Sequence, residues 1–412
     1  MADLGRDRLG LYISVPFCRS KCTYCNFASG VYPASEHARY IDRLIEDLAD
    51  AGAWATRMGV ELPRQVDTVY LGGGTPSLLA PELISRLFAA MRAEFAVEPT
   101  AEMTVECAPG QISDATLEAL VRAGVNRISL GVQSFIDREA QVSGRLHCRA
   151  VVLDDLRRLR GAGIANLNVD LIAGLAGQTF ASWQESLSVL IDAGVPHASI
   201  YMLEVDEDSR LGREMLAGGA RYHAELVPSD DTIARMYETA IERLAGVGLR
   251  QYEISNFARR GRSSRHNLRY WRRRPYLGLG LDASSALYAL QPETSSGARY
   301  VLRSTTSGDL KAYLDHPEAA ETAWLSPERQ HEEAWFLGLR LNAGVRPADL
   351  RREFGREPVA RALAVVDRLA DDGLVTSDGR TVQLTAQGRL LSNDVFQQFI
   401  ESVAEESAIA AG

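Results

Sequence analysis

Leu11-Tyr12-Ile13-Ser14-Val15-Pro16-Phe17-Cys18-Arg19-Ser20-Lys21-Cys22-Thr23-Tyr24-Cys25-Asn26-Phe27 is the stretch around which this chain is organised. A β-branched and aromatic run, the composition of a strand, leads into three cysteines spaced C-x3-C-x2-C. Three thiolates this close can hold a metal or a cluster without help from distant segments. Iron–sulfur clusters are normally held by four cysteines, so three leave one iron open to a small molecule. The competing reading is a structural zinc site completed by a histidine or a fourth cysteine. The nearest histidine, His37, falls in a helical pattern, and Cys107 lies far down the chain. The spacing by itself leaves zinc in contention.

Downstream, strand-like runs at 11–16, 67–71, 102–107, 126–133, 165–172 and 197–203 alternate with helical stretches such as 40–53, 81–95, 114–123 and 183–193. Repeated βα units imply a parallel sheet with right-handed crossovers. The fold class is therefore α/β, an incomplete (β/α)6 TIM-like barrel or an open sheet. Buried parallel strands usually read as continuous Val/Ile/Leu. Here Asn166-Leu167-Asn168-Val169-Asp170-Leu171 alternates polar with apolar residues, as do the strands carrying Glu106 and Gln133. The apolar half belongs under the helices, which turns Glu106, Gln133 and Asp170 to a polar inner wall. The same alternation puts Cys107 on the helix side, as a buried structural residue. Helices are expected at 208–218 and 229–247 and a strand over 251–257, with a connection over 305–323. Helices at 328–341, 347–354 and 357–371, a two-stranded wing about Asp378-Gly379 and a closing helix over 387–403 read as a winged-helix-like domain. The expected division is 1–240 for the barrel, 241–323 for an extension and 324–412 for the C-terminal domain.

Composition narrows the function. The chain has 412 residues, 46% of them hydrophobic, enough for a large core, and a formal net charge of −9, which argues against general nucleic-acid binding. Five cysteines, three of them crowded together, suit metal chemistry in a reducing compartment. The expectation is a cytoplasmic protein without a signal peptide or a bilayer-spanning run. One segment departs from the acidic average: RRGRSSRHNLRYWRRR, from Arg259 to Arg274, suits a flat anionic partner. A solvated basic loop is the plainer account.

Gly72-Gly73-Gly74-Thr75-Pro76-Ser77 follows a strand and precedes a helix, at the carboxyl end of the sheet where α/β barrels place their sites. GGGTP after the second strand, behind a three-cysteine loop after the first, resembles the radical S-adenosylmethionine (SAM) proteins of the coproporphyrinogen-dehydrogenase-like family, most closely the HemW-type heme chaperone branch. The resemblance covers nearly the whole chain. It implies that Cys18, Cys22 and Cys25 bind a 4Fe–4S cluster whose open iron takes SAM. It also implies that Tyr12, Tyr24, Gly73, Gly74, Thr75, Glu106, Gln133, Arg145 and Asp170 contact SAM. His266-Asn267-Leu268-Arg269-Tyr270-Trp271 matches the HNxxYW motif of the chaperone branch, which makes His266 the implied heme ligand. Neutral imidazole is a good axial ligand for heme iron.

Two departures bear on function. Ser14 stands where the family usually has histidine, and Phe27 stands where the dehydrogenases carry a fourth cysteine. The second points away from the oxidase. The expected function is a chaperone that binds the cluster, SAM and heme and delivers heme to respiratory hemoproteins, on a scaffold capable of reductive SAM cleavage and with no catalytic residue named. Membrane association at the inner face and a homodimer bridged by heme or cluster fit this reading. The alternative is a radical SAM enzyme on a porphyrin-type substrate, either an oxygen-independent coproporphyrinogen III oxidase or a class C methyltransferase.

Overall fold

The alternation of the sequence becomes a curved twelve-stranded sheet whose centre is six parallel strands in chain order. These are β1 (Arg8–Val15), β2 (Gln65–Gly73), β3 (Ala96–Cys107), β4 (Arg127–Gln133), β5 (Asn166–Ala173) and β6 (His197–Met202). The structure is a computed structural model and describes residues 7–290, 299–315 and 321–400. The crossovers carry α1 (Ala34–Met58), α2 (Pro81–Glu94), α3 (Asp114–Arg122), α4 (Asp137–Val142), α5 (Arg149–Gly161) and α6 (Phe180–Asp192). On β1, Leu9, Leu11, Ile13 and Val15 are buried in one core with Leu44 and Leu48 of α1, leaving Tyr12 and Ser14 for the other face. Burying apolar side chains yields roughly 25 cal/mol per Å², so this core fixes which face of every strand looks inward. β1 pairs with β2 and β9 but not with β6, so the barrel is incomplete.

After β6 come α7 (Arg210–Leu216), α8 (Asp230–Gly246), β7 (Arg250–Gln251), β8 (Asn256–Ala258) and α9 (Arg265–Trp271). The strand expected over 251–257 is two short antiparallel strands around a turn. Buried Glu253 accepts hydrogen bonds from the Ser255 N–H and the Asn256 amide and bends the chain between them. Then β9 (Tyr276–Leu279), β10 (Ser284–Tyr288), β11 (Val301–Thr305) and β12 (Glu321–Leu325) extend the sheet beyond β1. The stretch expected to be a connection over 305–323 thus holds α10 (Leu310–Asp315) and the start of β12, while residues 316–320 of it lie outside the described residues.

The C-terminal unit contains α11 (Pro327–Leu339), α12 (Pro347–Phe354), α13 (Arg356–Asp371), the wing β13 (Val375–Ser377) and β14 (Val382–Leu384), then α14 (Ala386–Leu390) and α15 (Ser392–Ile400). It has its own core, in which Trp335 stacks on Phe399 with ring centroids 5.3 Å apart. The single closing helix expected over 387–403 is broken at Leu391, and its last three residues lie outside the described ones. Among the described residues no helix is long and apolar enough to cross a membrane.

Candidate functional site

A cavity of about 710 Å³ opens at the carboxyl ends of the parallel strands. The loop after β1 delivers Cys18, Cys22, Tyr24 and Cys25 to its wall, and the loop after β2 delivers Gly73, Gly74 and Thr75. The glycines are required by close approach. A Cβ on Gly74 would sit 2.8 Å from the Val15 and Phe17 carbonyl oxygens, and Gly73 has φ +95°. Backbone bonds from the Gly74 N–H to the Val15 carbonyl and from the Thr75 N–H to the Phe17 carbonyl clamp the two loops together.

All three thiols are free. The Thr75 hydroxyl points to Cys18 Sγ at 3.9 Å, and Arg145 Nη1 donates to Cys22 Sγ at 3.4 Å. Burial raises the Cys18 thiol, opposed by hydrogen bonds from Ser29 and Thr75. Donors aimed at sulfur favour thiolate, the form that binds metal. Among the described residues, no three His, Cys, Asp or Glu side chains converge where a single metal ion would sit. A single zinc ion needs its ligands gathered about one centre. A cluster in which each iron takes one cysteine needs the sulfurs further apart. The donor set fits a cluster with one iron left open.

The strand alternation places Glu106, Gln133, Arg145 and Asp170 on the same cavity. Glu106 accepts from the Tyr70 phenol at 2.7 Å and from the Gly73 N–H at 3.2 Å. Burial pushes its carboxyl up to about 7. Asp170, also raised by burial, accepts from the Ser129 hydroxyl and the Asn168 amide. Gln133 adopts φ 68°, rare for a residue with a side chain, and its buried Oε1 has no hydrogen-bond partner. Strained, unsatisfied groups of this kind gather at binding sites. Cys107 packs in the hydrophobic core, where burial pushes its thiol up to about 12.

Tyr12 and His266 are not brought to the cavity wall. They lie deeper in the barrel, where Tyr12 stacks on Tyr70 with centroids 6.2 Å apart and Tyr70 on His266 with centroids 5.3 Å apart. His266 is 1% exposed, with Nδ1 bonded to the Thr68 hydroxyl at 2.9 Å and Nε2 to the Tyr270 hydroxyl at 2.8 Å. Burial drives the imidazole down to about 3, so it is neutral. The helix that carries it, α9, closes the amino end of the barrel. Glu102 accepts the Arg265 and His266 backbone N–H groups, and buried Arg269 pairs with Asp67 and donates to the Arg8 and Pro275 carbonyls. The arginine run is thus partly internal rather than a solvated loop. Tyr70 is a site residue that the sequence reading missed, although VDTVYLGGG alternates visibly and turns Tyr70 inward with Thr68.

The model of the radical SAM superfamily matches residues 12–190, and that of the HemN C-terminal domain matches residues 325–391. The chain is 33% identical to the heme chaperone HemW of Lactococcus lactis, over 94% of this chain and 96% of that one. It is 32% identical to heme chaperone HemW of Bacillus subtilis, over 94% of this chain and 98% of that one. A bovine mitochondrial protein, radical S-adenosyl methionine domain-containing protein 1, is 29% identical over 97% of this chain and 89% of its own. Among solved structures, coproporphyrinogen III oxidase (HemN) from Escherichia coli, a radical SAM enzyme, superposes with a TM-score of 0.79 at 23% identity, covering 97% of this chain and 92% of that one. That likeness establishes the fold.

Proposed function

We infer that this chain, which belongs to the HemW family of radical SAM proteins, is a heme chaperone that binds a 4Fe–4S cluster, SAM and heme and hands heme to hemoproteins. The observation that carries this reading is the near full-length identity to heme chaperones. Cys18, Cys22 and Cys25 are proposed to hold the cluster. Tyr24, Gly73, Gly74, Thr75, Glu106, Gln133, Arg145 and Asp170 are proposed to hold SAM, with Tyr12 supporting the floor through Tyr70. The bound cluster supplies single electrons, and SAM supplies the bond they can cleave.

The chain's own residues prepare the site. Thr75 and Arg145 direct hydrogens at sulfur, while Tyr70 and the Gly73 N–H hold the Glu106 carboxyl against the glycine turn. Asn168 and Ser129 fix Asp170. Two acidic groups on the cavity floor suit the ammonium and sulfonium of SAM. Their neutralisation by a cation offsets the cost of burying them.

His266 is proposed as the heme ligand. Its neutral imidazole has the right protonation state, but both nitrogens are engaged, so ligation requires Tyr270 to release Nε2 and α9 to give heme access. We further propose a cytoplasmic location, with recipients at the inner membrane face, a homodimer in the loaded state, and the division at 240/241 and 323/324. Anaerobic reconstitution followed by SAM and heme titration of one sample tests the central reading. Retention of all three ligands supports it; a reconstituted protein that takes up SAM and consumes coproporphyrinogen but ignores heme sinks it in favour of the oxidase. A Soret band unchanged in His266→Ala would move the heme ligand elsewhere.

A further inference from the structure

One wall of the cavity is not accounted for by the cluster or by the residues proposed for SAM. It is formed by β6 and its loop, by Tyr237 of α8, and by three residues of the C-terminal unit, Arg340, Ser392 and Asn393. Arg340 follows α11 directly. Its guanidinium lies over the Trp271 ring, with Cζ 4.3 Å from the centroid, and 5.8 Å from the Phe396 centroid. Trp271 is the last residue of the HNLRYW helix. The tryptophan of that motif therefore meets the cavity through an arginine contributed from 69 positions further on.

Arg340 has the environment of a ligand-binding cation. Its Nε is buried without a hydrogen-bond partner, and among the described residues no carboxylate comes within ion-pair distance of its guanidinium. The Nε1–H of Trp271 is also buried and unpartnered. Two carboxylates act on Arg340 from a distance. Glu253 spends its oxygens on Ser255 and Asn256 of its own turn, and Glu204 is exposed at the cavity edge. The other cations around the cavity differ. Arg145 is committed to Cys22 and the Gly131 carbonyl, Lys21 to the Phe27 and Ser29 carbonyls, and Arg19 is exposed at the rim. A guanidinium set over an indole can still take a carboxylate through hydrogen bonds from its remaining N–H groups. Leaving a partly buried cation with no carboxylate beside it is costly, so an arginine of this kind suits an anion.

We propose that Arg340, set over Trp271, is the subsite that receives a propionate carboxylate of the bound tetrapyrrole. This rests on the heme reading above and adds a location to it. The subsite couples three parts of the chain: the motif helix, the C-terminal unit and the barrel cavity. It also gives Trp271 a task distinct from that of His266, as the platform that orients the cation.

The test compares heme with its dimethyl ester, which keeps the iron and macrocycle but removes both negative charges. Each is titrated into anaerobically prepared full-length protein, wild type, Arg340→Gln and Arg340→Lys, followed by absorbance. Wild type is expected to bind the free acid roughly tenfold or more tighter than the ester, the value of one charge-assisted pair. Arg340→Gln should bring the ratio close to one by weakening the acid alone, and Arg340→Lys should restore part of it. Equal affinity of wild type for acid and ester overturns the subsite without any variant having to fold. An undiminished ratio in folded Arg340→Gln overturns it too. If wild type binds neither compound, the heme reading itself has failed and the subsite falls with it, a result distinct from binding both equally.

Discussion

The two ends of the barrel are built from the same kinds of residue, but only one of them opens on a cavity. At the amino end, Thr68, Glu102, His266 and Arg269 are inward-facing and polar, and each finds a partner within the chain. At the carboxyl end, the cysteines are free and the Gln133 Oε1 is unpartnered beside an open cavity. An inward polar residue is therefore not by itself a ligand. What separates these groups is whether hydrogen-bonding capacity is already spent, and that does not follow the ends strictly: Arg127 Nε and Asn166 Oδ1 near the amino end are also buried without a partner, while Glu106, Asp170 and Arg145 at the mouth are held by the chain.

The amino end should therefore cost stability when altered and the mouth should cost binding. The largest stability loss is expected from Asp67→Ala, which strands the buried Arg269 guanidinium. Breaking one side of a buried pair costs about 3–5 kcal/mol, to be read as a lower denaturant midpoint in the cluster-free protein. His266→Ala should follow, at about 2–4 kcal/mol, since it empties a buried ring site and leaves the Tyr270 hydroxyl without its partner. A loss under about 0.5 kcal/mol in that variant would mean α9 is not the closure described above.

Glu106→Gln should change stability at pH 5 by less than about 1 kcal/mol, because the native carboxyl is protonated there. The sign of its pH effect is fixed. A carboxyl raised from 4.5 to about 7 in the fold stabilises most below the unfolded value, and that contribution is lost as pH climbs through 7. The wild-type melting temperature should therefore decline across this window more than that of Glu106→Gln. SAM affinity should rise over the same range in wild type as the carboxylate forms, and stay flat in the variant. The smallest stability change, within about 0.5 kcal/mol for a partly exposed position, is expected for Cys25→Ser, together with complete loss of the reconstituted cluster's absorbance. Retention of that absorbance would break the assignment of the mouth.

Much of the mouth was legible before any coordinates. The C-x3-C-x2-C spacing and the glycine run announce themselves locally, and period-two alternation turned Glu106, Gln133 and Asp170 inward. The turn inside 251–257 was not legible, since it depends on the Glu253 carboxylate reaching back to its own backbone. Nor was the burial of His266. An arginine-rich segment looks like surface until the acid that caps its helix is seen to come from β3.

By itself, then, the sequence determined the order of the six parallel strands, their inward faces and the cysteine loop, because each is set by neighbours a few residues apart. Tertiary structure alone decided which polar groups are already satisfied. Thr68 and His266 are 198 positions apart, and Trp271 and Arg340 meet from different parts of the chain. Such partnerships depend on how the whole core packs, and no local pattern records them.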